Sequence, residues 1–527
     1  MPRSRPAVLA LSGLLALVAA AGCTTSRDDD RPAGVPGDAR LAVAFGLPRD
    51  DAGLAAAVAR RERLTPAQVQ RRYGGDPAAA RAALRRLGIT ATPVPGGGVL
   101  VAEVSARTAE ETLGAELHLE QGADGAVVAV PTEPLAVPAA LRGTVREVVG
   151  LAGTVRPGTA TPTASPSDTT GCAEARRGAA DGSGIAEHYG VTALRRQGID
   201  GAGTHLMLLA TQQLDPRSVT VFSRCYGYPH ARVRTTTVAG APEVGTGLEV
   251  TMDAIVASTI APGAEVEVLR FDDYQPMTFA LAQALVRDPD VLSTSVTTCE
   301  DDMSAAEASV DEWLLTVLAA RGTTTLASAG DHGVAGCYPA SEKPVALFPA
   351  SSPSVVAVGG TTATFDAGRI SDEAVWHEPP YAGGGGTSDL YPGRALPDVS
   401  FLADPAEFGT EPVCDDGGCS WQDVGGTSAS APGAAAVVAL LDSGLDERLG
   451  SLRPLLPTLG RGVVHDVVTG SNALFGNDCC QARRGYDRAS GWGWIDAHAL
   501  YEHLSGASLD QRGPALSRAA RSSGGRP

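Results

Sequence analysis

A run of small residues could present a serine nucleophile. It reads Gly-Gly-Thr-Ser-Ala-Ser-Ala-Pro from Gly425 to Pro432, and an apolar stretch from Ala434 to Leu441 follows it. A serine after a tight glycine turn at the start of a helix has an accessible hydroxyl in the positive field of that helix end. Serine, threonine and proline are also favoured at helix N-termini for capping alone. Ser428 is therefore a candidate nucleophile or a helix cap, and the motif alone leaves both open.

A serine nucleophile needs a base, and none of the nine histidines lies in a suitable motif. His205 opens a predicted strand, and three others lie in predicted loops without a glycine-rich catalytic motif: His332, His377 and His465. The alternative base is a carboxyl, because Glu249 and Asp253 are four residues apart and share one face if their segment is helical. Like charges at that spacing cost a helix about a few tenths of a kcal/mol. Either a solvated acidic face or a catalytic carboxyl pair would explain them.

Composition limits the classes of function. The chain has 527 residues, 63 glycines and 43% hydrophobic residues, which suffices for one large α/β domain and a smaller one. The formal net charge of -18 argues against a nucleic-acid partner, whose phosphates would be repelled. The same charge suits an acidic environment, where protonation relieves self-repulsion.

The first residues predict export. Two arginines precede an apolar run from Ala7 to Ala21 that is too short to span a bilayer comfortably, so residues 1–22 are predicted to be a signal peptide. The following Cys23 completes a site similar to bacterial lipoprotein processing sites, although Ala20 stands where leucine is usual. Lipidation of Cys23 would attach the protein to a membrane, whereas ordinary cleavage would release it. The predicted location is the cell surface or the extracellular medium.

Cysteine usage agrees with export. Setting Cys23 aside leaves eight cysteines, an even number that predicts disulfides in an oxidising compartment. Cys414 and Cys419 are near enough in sequence to close a small loop, but the full connectivity is not determined by the sequence. No paired-cysteine motif has the spacing of a zinc site.

Residues 38–155 predict a separate α+β unit. It contains two predicted strands, and its clearest helix begins with the cap Asp76 and the first-turn Pro77 and ends before Gly88. Residues 156–183 follow as a linker rich in Pro, Thr, Ser and Gly, which is accessible to proteolysis. The predicted strands are Leu41 to Phe45 and Val99 to Val104.

From Gly184 onward, apolar runs alternate with helical stretches, which predicts a mostly parallel sheet covered on both faces. The clearest predicted helix is Ala305 to Ala320, before Gly322. Residues 505–527 lack periodicity and are predicted to be disordered. The predicted strands are His205 to Ala210, Val266 to Phe271, Val291 to Val296, Thr325 to Ser328 and Val355 to Val358.

Three motifs in the same order resemble those of the sedolisin family of serine-carboxyl peptidases. They are the Glu249/Asp253 pair, the run Ala-Ser-Ala-Gly-Asp-His-Gly that contains Asp331, and the Ser428 motif. The resemblance spans residues 184–504, and the N-terminal unit resembles the family's kumamolisin-like activation prodomain. It implies a subtilisin-like, doubly wound, mostly parallel α/β sheet, preceded by an α+β (ferredoxin-like) prodomain that acts as an intramolecular inhibitor. Further similar segments are Leu64 to Val69, Ala261 to Ala264, Phe348 to Pro353, Ala357 to Thr361 and Leu396 to Val399.

Motif positions in the family imply a role for each residue. Ser428 would be the nucleophile, Glu249 its general base, Asp253 the support of Glu249, and Asp331 a donor to the oxyanion. Neighbouring carboxyls titrate as a coupled pair with one pKa raised, and an aspartic acid donates a hydrogen bond only while protonated. These roles predict activity in acid and failure at neutral pH.

The segments around Asp466 and Asp487 resemble the family's calcium loop. The resemblance implies one Ca²⁺ ion held by both aspartate side chains and by the carbonyls of Val467, Arg483 and Gly485, an oxygen cage suited to a hard cation. Arg483 stands where glycine is common, and the nearby segment Asn477 to Cys480 resembles an insertion. Two aspartates in an ordinary polar loop are the alternative.

A second departure concerns the surroundings of the carboxyl pair. Well-characterised relatives have a further glutamate on the first core strand and a tryptophan near the third. Leu209 to Thr211 and Ser295 to Thr297 occupy those places here. This difference predicts a variant support of the pair, and its effect on activity is not determined by the sequence.

The sequence thus predicts an exported, acid-acting serine-carboxyl peptidase, either an endopeptidase or a tripeptidyl peptidase. It would be a monomeric, self-processing zymogen that hydrolyses peptide or protein substrates through an acyl-enzyme and needs no organic cofactor. One alternative is a non-catalytic, peptide-binding surface protein on the same scaffold. A histidine-dependent subtilisin-like hydrolase is the other, and it lacks its histidine motif. Substrate preference and the processing site are not determined by the sequence.

Overall fold

The computed structural model describes residues 34–122, 125–157, 172–178, 182–366, 369–415 and 417–506. The predicted signal peptide with Cys23, most of the predicted linker and nearly all of the predicted C-terminal tail lie outside these residues. Two units follow one another along the described chain.

The N-terminal unit is α+β, as predicted. Strand β1 pairs antiparallel with both β3 and β6, β2 pairs with β3, and β4, β5 and β7 form a second antiparallel sheet. The predicted helix start is found, because the Asp76 carboxylate accepts hydrogen bonds from the Ala78 and Ala79 amides and Pro77 opens the helix. The strands are β1 (Arg40–Gly46), β2 (Thr92–Pro93), β3 (Val99–Ser105), β4 (Leu117–Gln121), β5 (Val127–Pro131), β6 (Glu147–Gly150) and β7 (Gly153–Arg156), and the helices are α1 (Asp51–Ala59), α2 (Pro66–Arg72), α3 (Pro77–Arg86) and α4 (Ala106–Thr108).

The second unit is built on an eight-stranded sheet. The path through it is β16-β15-β13-β11-β8-β10-β9, with β21 beside β15, and only the β15–β16 pair is antiparallel. The strands are β8 (His205–Ala210), β9 (Arg232–Thr237), β10 (Glu265–Arg270), β11 (Val291–Thr294), β12 (Thr298–Cys299), β13 (Thr324–Ser328), β14 (Leu347–Phe348), β15 (Val356–Asp366), β16 (Arg369–Val375), β17 (His377–Glu378), β18 (Tyr381–Ala382), β19 (Gly386–Thr387), β20 (Ala395–Leu396), β21 (Val399–Leu402), β22 (Thr410–Asp415), β23 (Gly418–Asp423), β24 (Val464–His465) and β25 (Trp494–Ile495).

Helices cover both faces of this sheet. On β8, Leu206 and Leu208 join the core formed with α8 and α12, whereas Met207 and Leu209 join the core formed with α9 and α10. This alternation gives the doubly wound, mostly parallel arrangement that was predicted. The helices are α5 (Gly182–His188), α6 (Val191–Arg196), α7 (Arg217–Tyr226), α8 (Leu248–Ile260), α9 (Thr278–Arg287), α10 (Ala305–Arg321), α11 (Pro405–Phe408), α12 (Thr427–Leu445) and α13 (Ala497–Ser505).

Helix α12 is the central helix of the core. Its composition and its 19 residues would allow it to cross a membrane, but 78% of its most apolar window is buried inside the protein. It packs against α8 and several central strands. The start of α12, which carries Ser428, is therefore held by the middle of the sheet.

Helix α10 forms much of the contact between the two units. Trp313 is 2% exposed and lies against Gly98 of the N-terminal unit, where a Cβ would approach its ring nitrogen to 2.1 Å. The guanidinium of Arg49, whose side chain is fully buried, lies 5.4 Å from the centre of the Trp313 ring and donates to the Ser309 carbonyl at 2.8 Å. The N-terminal unit therefore docks on the side of the sheet opposite α12 through buried apolar and charged groups.

Four disulfides connect the eight cysteines of the described residues, including the predicted Cys414–Cys419 pair. The other three disulfides, whose pairing the sequence did not determine, are Cys172–Cys225, Cys299–Cys337 and Cys479–Cys480.

Candidate active site

A glycine turn places Ser428 in the first turn of α12. Gly426 has a φ of +92°, and its amide donates to the Ala403 carbonyl at 2.6 Å. A Cβ at Gly426 would lie 2.5 Å from Oδ2 of Asp331, so only glycine fits both the backbone conformation and the space. Ser428 is partly exposed, whereas its neighbours Thr427 and Ala429 are buried. The turn thus presents one hydroxyl of the motif beside Asp331.

The Glu249/Asp253 segment is helical, as the four-residue spacing required. Both carboxyls lie on α8, which packs against α12. Asp253 is 2% exposed, and its Oδ1 accepts a hydrogen bond from the Ser295 hydroxyl at 3.0 Å. The same hydroxyl lies 3.3 Å from the backbone carbonyl of Ser428. Ser295 therefore joins α8 to the start of α12.

The environment of the pair favours protonated carboxyls. Burial raises the pKa of Glu249 to about 7; hydrogen bonding by Ser428 and Ser295 opposes that shift, and the charge of Asp331 adds to it. Burial and the charge of Glu249 raise the pKa of Asp253 well above its usual range. Glu249 Oε1 is buried without a hydrogen-bond partner among the described residues. The two carboxyls therefore titrate as a pair: when one loses its proton, its charge raises the pKa of the other.

Asp331 closes the site from the end of β13. Its Oδ1 accepts hydrogen bonds from both the amide and the hydroxyl of Thr427, each at 2.8 Å. The Gly330 amide donates to the same Thr427 hydroxyl at 3.1 Å. Burial raises the pKa of Asp331, although these hydrogen bonds and the charge of His332 oppose the shift. Burial therefore favours the neutral acid, the form that can donate to an oxyanion.

The histidines form contacts away from this arrangement. His205 Nε2 lies 2.8 Å from Glu267 Oε2, and the His465 ring stacks on Trp494 at 4.0 Å. His332 is adjacent to Asp331 in sequence, but its Nδ1 faces the Pro380 carbonyl at 3.1 Å. His377 is exposed on β17. These contacts give no support to a histidine-dependent mechanism.

Two neighbours of the site had no recognisable signal of this role in the sequence. Ser295 lies in the segment where relatives were expected to have a tryptophan that supports the carboxyl pair. In this structure the Ser295 hydroxyl binds Asp253 directly. Thr427 was part of the serine motif, but its hydrogen bonds to Asp331 depend on the approach of two distant loops. Leu209 is fully buried in the core on the α9 and α10 side.

The predicted calcium residues also converge. Asp466 Oδ2 accepts from the Gly485 amide at 2.8 Å, and Asp487 Oδ2 accepts from the Arg483 amide at 2.7 Å, so both aspartates hold the same loop. The Ser490 hydroxyl lies 3.1 Å from both Asp487 Oδ1 and the Val467 carbonyl. Asp466 Oδ1 is buried without a partner among the described residues. An orphaned carboxylate oxygen beside a second buried carboxylate fits the donor chemistry of a Ca²⁺ site.

The described residues contain one other cluster with the spacing of metal ligands, Cys299, Asp301 and Cys337. The two cysteine sulfurs are joined in a disulfide. They are therefore not available as thiolate ligands.

Comparison with protein families shows which family the chain belongs to. Residues 174–457 match the family described as "Subtilase family", and residues 56–154 match "Pro-kumamolisin, activation domain". The chain belongs to the sedolisin family of serine-carboxyl peptidases. The resemblance stated from the motifs is thereby confirmed, as is the subtilisin-like fold.

Curated members of the sedolisin family match different lengths of the chain. Kumamolisin from Bacillus sp. (strain MN-32) is 32% identical over 334 residues, covering 56% of this chain and 58% of its own length. Sedolisin from Pseudomonas sp. (strain 101) is 34% identical over 247 residues, covering 41% and 40%. Human tripeptidyl-peptidase 1 is 31% identical over 256 residues, covering 41% and 43%. The chain thus spans at most 58% of the length of these relatives.

A solved structure supports the fold of the sedolisin-like unit. Pseudomonas sedolisin, complexed with two molecules of pseudo-iodotyrostatin, superposes with a TM-score of 0.52 at 26% identity. The match covers 58% of this chain and 94% of that structure.

Proposed function

We propose that this sedolisin-family protein is an acid-acting serine-carboxyl peptidase that hydrolyses peptide bonds through an acyl-enzyme on Ser428. The observation that carries the proposal is the meeting of Ser428, the buried Glu249/Asp253 pair and Asp331 at the start of α12. A solvated acidic face, the alternative explanation of the pair, is inconsistent with an Asp253 that is 2% exposed.

Each step of the reaction has a group to perform it. Glu249 takes the Ser428 proton as the hydroxyl oxygen attacks the scissile carbonyl, and protonated Asp331 donates to the oxyanion that forms. Glu249 then gives its proton to the leaving amine, which leaves an acyl ester on Ser428. Water attacks the ester, Glu249 takes its proton, and the return of that proton to Ser428 releases the new carboxylic acid. Endopeptidase and tripeptidyl-peptidase action are both compatible with this sequence of steps.

The protonation state of Glu249 limits the pH range in which this reaction can proceed. With a pKa of about 7, Glu249 is mostly protonated in acid in the unprocessed chain and is a poor base there. Fast turnover in acid therefore requires a lower pKa of Glu249 in the processed enzyme than in the unprocessed chain. We expect a slow first cleavage in acid, followed by faster turnover by the processed enzyme.

Self-cleavage of the purified zymogen tests this function. At about pH 4, the wild-type chain should release its N-terminal unit after a lag, because each processed molecule cleaves others. Glu249→Ala should abolish this cleavage, since it removes the base, and gel electrophoresis with mass spectrometry would follow both chains. Unchanged cleavage in Glu249→Ala would rule out the carboxylate-base mechanism. Absence of cleavage in both chains would favour the peptide-binding alternative.

The biological setting follows from the same proposal. The protein would be exported, either anchored through lipidated Cys23 or released, and would remain monomeric. Its N-terminal unit would inhibit it until the linker within residues 156–183 is cut. The family profile for that unit supports the zymogen arrangement.

A Ca²⁺ ion would be held by the side chains of Asp466 and Asp487 and by carbonyls of the same loop. When bound, the ion neutralises the two carboxylates and ties the C-terminal loop to the core. The resident groups already orient the loop, because amides of residues 483, 485, 489 and 490 donate to the aspartates.

Removal of calcium should lower the free energy of unfolding, and this effect should depend on Asp466. Adding Ca²⁺ to about 100 times its dissociation constant should raise the free energy of unfolding of the chelator-treated protein by about 2.7 kcal/mol. Asp466→Asn should remove most of this increase, because it weakens the orphaned ligand oxygen. Asp478→Asn is the matched control, since Asp478 is exposed in the neighbouring segment. Equal calcium responses in both variants and the wild type, measured by thermal unfolding, would contradict the site.

A further inference from the structure

Glu411 is a buried carboxyl that the proposed reaction does not use. It lies on β22, is 2% exposed, and its Oε2 has no hydrogen-bond partner among the described residues. A buried carboxyl without a partner costs several kcal/mol if it is ionised, so its presence calls for a physical reason.

Glu411 lies beside α8, the helix that carries Glu249 and Asp253. It borders a cavity of about 80 Å³ together with Val256 and Ile260 of α8. These two residues follow Asp253 by three and seven positions, so all three lie on one face of the helix. The hairpin that carries Glu411 is closed by the Cys414–Cys419 disulfide. A constrained strand thus holds a carboxyl beside α8, next to Val256, which is one helical turn beyond Asp253.

The cations around the cavity are engaged elsewhere. Arg177 donates to the Tyr226 carbonyl at 2.8 Å and to the Tyr228 hydroxyl at 2.9 Å. Arg195, from α6, donates to the Thr259 carbonyl at 3.3 Å. The Tyr226 hydroxyl donates to the Thr410 carbonyl at 2.7 Å. Each of these side chains hydrogen-bonds a group other than Glu411.

The remaining charged neighbour is the carboxyl of Asp253. Burial alone raises the pKa of Glu411 well above its usual range. When ionised, Glu411 adds to the burial and the Glu249 charge that raise the pKa of Asp253. Neighbouring buried carboxyls lose their protons in successive steps, and each loss makes the next harder.

We propose that Glu411, buried on β22 beside α8, is a positioning residue for the acid–base pair and acts through Asp253. Its negative charge opposes the loss of the Asp253 proton. Asp253 in turn holds Glu249 as the only ionised member of the pair, the state that can accept the Ser428 proton. Glu411 thereby helps to set the upper pH limit of the reaction. This inference rests on the proposed function.

A glutamine substitution tests it with little change of shape. Glu411→Gln removes the third carboxyl, so Asp253 should lose its proton at lower pH. The upper midpoint of the kcat/KM profile should move down by about half a pH unit or more. Glu407→Gln is the matched control, because Glu407 is also 2% exposed with an unpartnered Oε2, but it hydrogen-bonds Thr362 and Ala363. Its profile should keep the wild-type midpoint.

A second measurement separates this inference from the proposed function. Infrared difference titration of the Ser428→Ala zymogen follows protonated carboxyls without requiring catalysis. Glu411→Gln in that background should remove one carboxyl band and lower the midpoint of a second, whereas Glu407→Gln should remove one band only. An unshifted second midpoint, or a kcat/KM profile that Glu407→Gln moves equally, would overturn the role of Glu411. Loss of peptide hydrolysis in the wild type with a shifted second midpoint would instead overturn the proposed function alone.

Discussion

Ser428→Ala is expected to lower the rate of peptide hydrolysis by more than about 10⁴-fold. Alanine has no oxygen to attack the scissile carbonyl, so the acyl-enzyme cannot form. The substitution removes only a partly exposed hydroxyl, and the fold around α12 should stay intact. Hydrolysis of an internally quenched peptide after acid treatment measures the loss, and circular dichroism checks that the variant is folded.

Ser430→Ala is the matched control for this prediction. Ser430 is two residues further along α12 and is buried, with its hydroxyl 3.1 Å from the Phe401 carbonyl and 2.9 Å from the Leu402 carbonyl. Its loss should cost about 1 kcal/mol of stability and leave the chemical step in place. Similar losses of activity in the two variants, with both folded, would mean that Ser428 has a structural role only.

The stability of the Ser428→Ala zymogen is expected to fall by several kcal/mol between about pH 5 and about pH 8. Burial raises the pKa of Glu249 and of Glu307 to about 7, and that of Glu407 to about 8. A carboxyl whose folded pKa is raised binds its proton more tightly in the folded state. Its stabilising contribution is complete below the unfolded pKa and is lost as the pH rises through the folded pKa. The same direction holds for Asp253, Asp311, Glu411 and Asp442.

Urea unfolding at several pH values measures this slope. Glu407→Gln should flatten it, because the amide cannot ionise and the cost of ionising a buried carboxyl disappears. Glu62→Gln is the control: Glu62 is in the N-terminal unit, and its hydrogen bond with Arg72 lowers its pKa. Its titration is complete below this pH range, so the slope should not change. A zymogen that became more stable from pH 5 to pH 8 would contradict the assignment of buried, neutral carboxyls.

Local sequence patterns were sufficient for the parts of the site that lie on one element. The four-residue spacing placed Glu249 and Asp253 on one face of α8, and the glycine turn placed Ser428 in the first turn of α12. The N-cap at Asp76 and the end of α10 before Gly322, which has a φ of +99°, followed from residue type in the same way. These features depend on backbone propensities and on the periods of the helix and the strand.

Contacts between distant segments needed the tertiary structure. Nothing local indicates that Ser295 binds Asp253 across 42 residues, or that the Thr427 amide and hydroxyl hold Asp331 across 96. The pairing of Cys172 with Cys225 and the docking of Arg49 beside Trp313 also depend on which surfaces meet.

Residue types and their spacing were enough to identify the groups that could act in the site. Ser428 as a candidate nucleophile and Glu249/Asp253 as a candidate carboxyl pair were each visible from residue type and spacing, because helix and turn geometry are set by neighbours along the chain. How those carboxyls titrate depends instead on packing between distant segments. Glu411 shows why: its burial and its place beside the helix of Asp253 both arise from packing between β22 and α8. The strength of a charge interaction depends on separation and on excluded water, and neither is encoded in any one segment.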